Sequence, residues 1–238
     1  VHSDGTVATI CSWDEGGTNV GVFRNGKLIS RPEGSGTGGW GRFSGVQVVL
    51  DDKYVYQLLT QHGCDGGNDR LNNNNLRQFP PCDNTTEWKT IRRYDRETGL
   101  AAPFPGGYGY KGDMLIVAQE KQRQTKGLAI GKGRLYVAIS GLTKKCEKGY
   151  PLPCSSGILY ADDNEGLWMM KEDSIIRMKA ATGERLPQAI KIPQDVKAMS
   201  FCIDTKRQRL LLPNRGKDLN VLIYSNIYKQ PKLAGTFG

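Results

Sequence analysis

The sequence predicts an all-β fold: a β-propeller of about five visible four-stranded blades within a ring of six or more. The main observation is a sequence motif, here called the repeated phrase, that recurs along the chain with substitutions. It is SIIRMKAATGERLP at Ser174–Pro187 and TIRRYDRETGLAAP at Thr90–Pro103, with weaker copies at Gly21–Ile29 and Val221–Leu233. Each copy consists of an alternating strand, a polar turn and a second strand. Repeats of about 40–50 residues that contain several strands are typical of propellers.

The spacing of these copies supports the propeller. The copies that begin at Ile175 and Leu222 are 47 residues apart. Those at Gly21 and Ile91 are 70 apart, but a polar excursion of 24 residues at Cys64–Glu87 separates them and leaves 46. The gap of 84 residues between Ile91 and Ile175 is slightly short of two periods. It predicts an intervening blade with a shortened outer hairpin.

A second phrase, with apolar strands on either side of a tight turn, fills the other half of each unit. Its copies are Gly45–Leu59, Gly127–Ile139, Gly157–Met170 and Ala198–Leu212. β-branched and aromatic residues bounded by Gly, Asp and Asn indicate hairpins. The first blade is expected at roughly 5–40, and the others are expected to start near 45, 126, 157 and 195, within a single domain over 1–238.

The two ends of the chain suggest a piece of a longer protein. The chain opens at Val1–Thr6 without Met, and Leu233–Gly238 is predicted to be a strand that leads into another blade. We therefore expect a fragment that continues beyond Gly238. The alternative is a complete small propeller closed by its first strand.

Composition and charge exclude several classes of protein. Hydrophobic residues make up 38% and charged residues 24%, as in ordinary globular proteins, and no apolar run is long enough to cross a membrane as a helix. The net charge of +9 could attract polyanions. No basic stripe with interleaved aromatic residues and no nucleic-acid motif is present, which favours a solvated basic surface and no nucleic-acid partner.

Six cysteines form an even set. Cys64 and Cys82 bracket one polar excursion, and Cys146 and Cys154 bracket another, so a disulfide across each is predicted. Cys11 and Cys202 lie in apolar strands of the first and last blades. They form either a third bridge or two buried free thiols. Zinc is disfavoured because there are only two His and no Cys-x-x-Cys.

A glycosylation sequon supports a location outside the cell. Asn84-Thr85-Thr86 lies beside Cys82 in a predicted exposed loop. Together with the bracketing cysteines, it predicts a secreted or cell-surface glycoprotein in which Asn84 carries the glycan. A cytosolic protein with unpaired cysteines is the alternative.

The phrasing resembles the NHL-repeat and gluconolactonase-like (regucalcin-like) six-bladed propellers. The residues that carry the resemblance are Gly127-Leu-Ala129, Arg134-Leu-Tyr-Val137, Asn164-Glu-Gly-Leu-Trp168, Arg177 and Thr182-Gly183. The resemblance covers most of the chain, but it is a similarity between repeats. It therefore indicates the fold more than the function. It implies, for an enzyme of this kind, a divalent metal held at the central channel by a carboxylate, an Asn and an Asp. No residues of this sequence are matched to those ligands.

A few residues are candidates for ligand binding. Asp14, Glu15 and Asn19 form an acidic cluster that could hold a metal such as calcium at a channel mouth, although a hairpin turn explains them too. Asp162–Glu165 could also bind a metal, but its place at a hairpin turn favours a structural role. Trp40, set among glycines, is the candidate platform for stacking a ligand.

The sequence favours an extracellular binding or structural-assembly module, without a resident cofactor, over an enzyme. No Ser or Cys nucleophile motif accompanies His2 or His62. The cysteine-bracketed excursions enlarge loops, and enlarged loops on a rigid scaffold usually carry binding. The expected partners are a protein or a glycan, or a second copy of the chain through exposed strand edges. The alternative is a metal-dependent gluconolactonase-like hydrolase that acts at the central channel.

Overall fold

A computed structural model describes residues 1–13, 17–32, 43–62, 80, 86–119, 124–140, 159–162 and 164–238. These residues form seventeen strands and a single 3-10 turn at Tyr110–Gly112. No helix of the described residues is long and apolar enough to cross a membrane. The predicted all-β class is therefore confirmed.

The first two sheets are antiparallel meanders in which consecutive strands pair. The first has the order β1-β2-β3 and the second β4-β5-β6-β7. Their bounds are β1 Thr6–Trp13, β2 Gly17–Arg24, β3 Lys27–Ser30, β4 Phe43–Leu50, β5 Tyr54–His62, β6 Glu87–Asp95 and β7 Met114–Gln119.

The remaining sheets continue this pattern with the orders β8-β9, β10-β11-β12-β13 and β14-β15-β16-β17. Their bounds are β8 Gln124–Gly131, β9 Arg134–Ser140, β10 Leu159–Ala161, β11 Gly166–Lys171, β12 Ser174–Lys179, β13 Arg185–Lys191, β14 Cys202–Asp204, β15 Arg209–Pro213, β16 Val221–Ser225 and β17 Lys232–Phe237. Small consecutive meanders of this kind are the blades of a β-propeller.

The blades differ in strand number. Within the described residues three sheets have four strands, the first has three, and the β8-β9 sheet has two. The poorest sheet thus lies in the long gap between the hairpin copies at Ile91 and Ile175, where the sequence predicts a shortened blade. The first strands of the later sheets begin at Phe43, Gln124, Leu159 and Cys202, close to the predicted blade starts.

The chain divides into two compact units. One comprises Val1–Gly127 with Ile139–Gly141, and the other comprises Leu128–Ala138 with Leu142–Gly238. In the first unit, valines of β2 pack against Leu50 and Val55 of the second sheet. The single domain over 1–238 stays a prediction.

In the second unit the β10–β13 sheet is buried on both faces. Trp168, Met170 and Ile175 pack with apolar residues of the β14–β17 sheet. Met169 and Met178 on the opposite face pack with Ala129 and Ala138 of the β8-β9 hairpin. Each face of this sheet is thus covered by the sheet that precedes or follows it in the chain.

The two strong copies of the repeated phrase form equivalent turns. Gly99 donates its N–H to the carbonyl of Asp95, and Gly183 donates to the carbonyl of Lys179, each at 2.9 Å. Both glycines have positive φ, +73° and +74°, in the left-handed region that favours glycine. The Thr-Gly pair of the phrase is therefore the turn of an outer hairpin, as the repetition predicts.

The returning strands of the two copies differ. After Gly183 the chain enters β13 directly, whereas after Gly99 only Ala101 bridges to Tyr94 before the chain leaves the sheet until Met114. Pro103 and Pro105 have no N–H to donate, so they interrupt strand pairing at this point. Phe104 and Asp113 are buried within the resulting loop.

Candidate functional site

Most residues that the sequence selects for chemistry lie outside the described residues. These are Asp14, Glu15, Trp40, Cys64, Cys82, Asn84, Cys146 and Cys154. Asn19 pairs with Cys11 in the register of β1 and β2, but the structure does not describe their side chains. The described residues contain no group of three or more His, Cys, Asp or Glu side chains that could hold a metal. The predicted metal site, disulfides and glycan stay predictions.

Cys202 differs from both alternatives that the sequence left open. It is a free thiol, and its side chain is exposed. It is therefore neither bonded to Cys11 nor buried as a small apolar residue. The physical reason is the alternation of β14, in which Ile203 faces the core while Cys202 points to the opposite face of the sheet.

Asp162 is the centre of a buried polar cluster in the β10–β13 sheet. Its Oδ1 accepts hydrogen bonds from the backbone N–H groups of Asn164 and Gly166, both at 2.8 Å. Its Oδ2 accepts from Trp168 Nε1 at 2.7 Å and from Arg177 Nε at 2.9 Å. The carboxylate is fully buried. These donors occupy both oxygens and neutralise the charge, which gives Asp162 a structural role.

Part of this arrangement recurs in the β4–β7 sheet. Asp51 Oδ2 accepts a hydrogen bond from the hydroxyl of Tyr56 at 2.9 Å, as Asp162 accepts one from Trp168. Tyr56 is paired with Arg93 across the strands, as Trp168 is paired with Arg177. Burial, followed by the nearby charge of Asp51, raises the pKa of Tyr56 well above its usual range. A hydrogen bond from an aromatic residue to the Asp at the turn is thus repeated in two blades, whereas the ion pair between Asp and Arg is observed at Asp162 and Arg177.

The two arginines also contact aromatic rings. The guanidinium carbon of Arg177 lies 4.9 Å from the ring centroid of Tyr228, and that of Arg93 lies 4.2 Å from the centroid of Phe104. Cations at this distance from a ring face are attracted to it. The contact between Arg177 and Tyr228 joins β12 to the segment between β16 and β17, and so holds these two sheets of the second unit together.

A small cavity lies beside the Asp162 cluster. Its volume is about 160 Å³. It is lined by the turn between β8 and β9 and the start of β9, by the turn between β10 and β11, and by the turn after β12. Lys132 and Arg134 bring positive charge to it. Lys132 Nζ lies 3.6 Å from a carboxylate oxygen of Glu165, and both side chains are more than half exposed. This pair is an exposed ion pair of small energetic value.

The β14–β17 sheet exposes one apolar face, here called the open face. Residues of β15 and β16 alternate between buried and half-buried positions, and the buried set, which includes Leu210, Leu212 and Leu222, faces the core. The register aligns the other set in two rows across the sheet: Cys202, Leu211, Ile223 and Gly235, and Pro213, Val221 and Phe237. Phe237 is 54% exposed. An antiparallel sheet with one solvated face normally carries polar residues there.

A charged cluster joins the N-terminal segment to the turn after β6 in unit one. Asp4 contacts His2 at 3.0 Å and Arg96 at 2.9 Å, and Arg24 pairs with Glu97. Burial raises the pKa of Asp4, but hydrogen bonds from Thr6 and His2 and the charge of Arg96 outweigh it and hold that pKa well below its usual range. The hydrogen bond from Arg24 lowers the pKa of Glu97. The cluster is a structural clamp.

The comparisons with known proteins show the fold alone. No family model and no curated protein matches the chain. The chain is similar to a chain in the crystal structure of the Mitotic Checkpoint Complex, with a TM-score of 0.51 and 12% identity over 98% of this chain and 74% of that chain. Two weaker likenesses are to the complex of KlAtg21 with the coiled coil of AgAtg16 (TM-score 0.47, 14% identity, 100% of this chain and 68% of that one) and to a putative 6-phosphogluconolactonase from Bacteroides fragilis NCTC 9343 (TM-score 0.37, 10% identity, 99% and 68%).

The Asp162 and Asp51 clusters stabilise blades. The cavity and the open face are two surface features of the described residues that these clusters do not fill. The chain is an all-β protein built from blades of the β-propeller type.

Proposed function

We propose that this chain is a binding module that docks a protein partner on the open face of the β14–β17 sheet. The observation that carries the proposal is the composition of that face, where Leu211, Val221 and Ile223 lie beside the exposed Phe237. Contiguous exposed apolar surface on a folded protein usually marks an interaction site.

The preceding sheet supports this interpretation. Trp168, Met170 and Ile175 of the β10–β13 sheet lie on the face that the next sheet covers. The open face is the corresponding surface of the following blade, one step further along the chain. Covering it would remove apolar area from water at about 25 cal/mol per Å². The surface that best complements it is another sheet with alternating apolar residues.

The charges around the face favour an acidic partner. Residues 193–238 contain eight Lys or Arg and only three Asp. One row across the sheet, at the edge of the open face, carries two cations and one carboxylate: Asp204, Arg209, Ser225 and Lys232. Complementary charge at a rim guides association and selects partners. The aliphatic character of the open face favours a protein over a glycan.

We also propose that the protein acts outside the cell. The cysteines that bracket the two polar excursions, Cys64 with Cys82 and Cys146 with Cys154, and the sequon at Asn84 support it. Peptide mapping of protein from its source, with and without reduction, tests it. The expected result is both disulfides and a modified Asn84. Free thiols at all four cysteines would contradict the extracellular location.

We assign the module to the NHL-repeat and gluconolactonase-like type of propeller as part of the same proposal. The segments that carry the resemblance support it, because Arg134–Val137 lies in β9 and Thr182-Gly183 forms an outer hairpin turn. The hydrolase alternative would act through a metal held by a carboxylate, an Asn and an Asp, the ligand set that the resemblance implies. The composition of the open face is what makes binding the function that the described geometry supports best.

Photo-crosslinking from the open face tests the docking proposal. A benzophenone amino acid replaces Ile223 in one variant and Gln208, in the exposed turn before β15, in a matched control. Each variant is produced in the native source and irradiated there. Position 223 is expected to crosslink to one discrete protein in the source, and in an extract of that source the yield should fall as salt is added, because the rim is charged. Equal crosslinking from positions 223 and 208 would contradict the proposal.

A further inference from the structure

The cavity beside the Asp162 cluster has the features of a small anion site. The backbone of the β8-β9 turn makes one wall: Lys132 and Gly133 both have positive φ, 48° and 70°, as in a two-residue hairpin turn. This turn places Lys132 at the rim. Gly131, Gly166 and Ala161 form walls with little or no side chain. The small walls leave room beside the charged groups.

Two donors of β9 face this cavity without a partner among the described residues. Arg134 and Tyr136 are two positions apart in β9, so their side chains lie on the same face of the hairpin, and both line the cavity. In the part of the chain that the structure describes, neither the guanidinium of Arg134 nor the hydroxyl of Tyr136 makes a hydrogen bond or ion pair. A guanidinium fork and a phenol hydroxyl are a donor set suited to an oxyanion.

The charge balance selects a monoanion. Asp162 is neutralised by Arg177, which leaves Lys132 and Arg134 against Glu165 and a net charge of +1 at the cavity. A single carboxylate balances this charge, whereas a phosphate dianion would exceed it. The volume of about 160 Å³ is similar to that of a cavity that holds benzene, and well below the size of a pocket for a drug-sized ligand.

We propose that this cavity binds a carboxylate group, held by Arg134 and Tyr136 and assisted by Lys132. The carboxylate belongs either to a small aliphatic acid or to an acidic side chain of a peptide. Glu165 already pairs with Lys132, so binding a carboxylate exchanges one partner of Lys132 for another. The site is separate from the open face and does not depend on the proposed docking function.

Titrations followed by ¹⁵N NMR test this site. The probes are propionate, a blocked Gly-Glu-Gly peptide, its Gly-Gln-Gly counterpart and inorganic phosphate. Propionate or the Glu peptide should give saturable shifts at the amides of Gly131, Lys132, Gly166 and Ala181. Binding of the Glu peptide without propionate would assign the carboxylate to a peptide, and the reverse would assign it to a free acid. The Gln peptide should not bind, and phosphate should bind more weakly than the better carboxylate probe.

Variants separate binding at this cavity from general charge effects. Arg134→Gln should weaken the better carboxylate probe about tenfold or more, and Tyr136→Phe about threefold. Glu165→Gln should tighten it about threefold, because Lys132 is released from its partner; a misfolded variant could not produce this gain. Arg185→Gln, the same charge change on the exposed start of β13, is the control and should change affinity less than about twofold. Absence of saturable shifts with both carboxylates, tighter binding of phosphate, or equal effects of Arg134→Gln and Arg185→Gln would overturn the proposal.

Discussion

The guanidinium of Arg177 and the carboxylate of Asp162 form an ion pair inside the β10–β13 sheet, with Nε 2.9 Å from Oδ2 and with Asp162 fully buried. The indole N–H of Trp168 shares the same carboxylate oxygen. This relationship connects the turn between β10 and β11 to strand β12. It gives the Asp of this turn and the Arg of the following hairpin a shared structural role in this sheet.

Replacing Asp162 with Asn should destabilise the protein strongly. The change leaves the Arg177 cation buried without its counter-charge, and breaking a buried pair in this way costs about 3–5 kcal/mol. The free energy of unfolding, measured by urea titration, provides the test. Glu165→Gln in the same turn is the control, since its pair with Lys132 is exposed and its loss should cost less than about 1 kcal/mol. Equal losses in the two variants would show that the buried pair has no special role.

Gly166 should not tolerate a methyl group. A Cβ at this position would collide with Arg177 Nε and would lie 2.5 Å from Asp162 Oδ2. Gly166→Ala should therefore reduce the free energy of unfolding by about 1–3 kcal/mol. Gly235→Ala is the matched strand control, because nothing lies within 4 Å of its Cβ, and it should be neutral or slightly stabilising.

The mechanism of the Gly166 effect can be separated from a simple loss of space. If Gly166→Ala acts by displacing the ion pair, its effect and that of Asp162→Asn should be less than additive in the double variant. If the losses in the free energy of unfolding are additive, Gly166→Ala does not act through the ion pair, and this explanation is wrong.

Stability should fall in acid through the clamp at the N-terminal segment. The folded-state pKa of Asp4 and that of Glu97 lie below the usual carboxyl values. Carboxylates of this kind stabilise the fold fully above their unfolded pKa values, about 4, and lose that contribution as pH falls through the folded values. Urea titrations at pH 6, 4 and 3 should show a falling free energy of unfolding.

Asp4→Asn tests the source of this dependence. The variant should be less stable than the wild type at pH 6 and should lose less stability between pH 6 and pH 3. Asp218→Asn, at an exposed carboxylate in the other unit, is the control and should keep the wild-type slope. An unchanged slope in Asp4→Asn would assign the acid sensitivity to other groups.

The sequence predicts the blades well because their signals are local. The Thr-Gly turns at Gly99 and Gly183 form as the repeated phrase predicts. The Lys132-Gly133 turn closes a two-residue hairpin between strands that alternate visibly. The excursion at Ala102–Asp113 was not predicted, although Pro103 and Pro105 marked the point at which pairing stops.

The binding surfaces were harder to predict because they depend on contacts between distant segments. Arg134, Glu165 and Ala180 line the same cavity, although they come from three separate segments of the chain. No local sequence pattern predicts that these segments lie next to one another. The open face, in contrast, can be recognised in the sequence. Leu210–Leu212 and Val221–Tyr224 are continuous apolar runs, which are typical of strands with two faces to bury. The structure buries only one of those faces within the described residues.

The thiol of Cys202 reports directly whether a partner covers the open face, because it is exposed and lies in a row of that face. The protein is alkylated in its native source with a light maleimide, then unfolded and alkylated with a heavy one, and the ratio at Cys202 is read by mass spectrometry. Purified protein treated in the same way is the reference. If a partner covers the open face, Cys202 should carry mostly the heavy label in the source and mostly the light label once purified. Equal light labelling of Cys202 in both samples would contradict the proposal that a partner covers the open face.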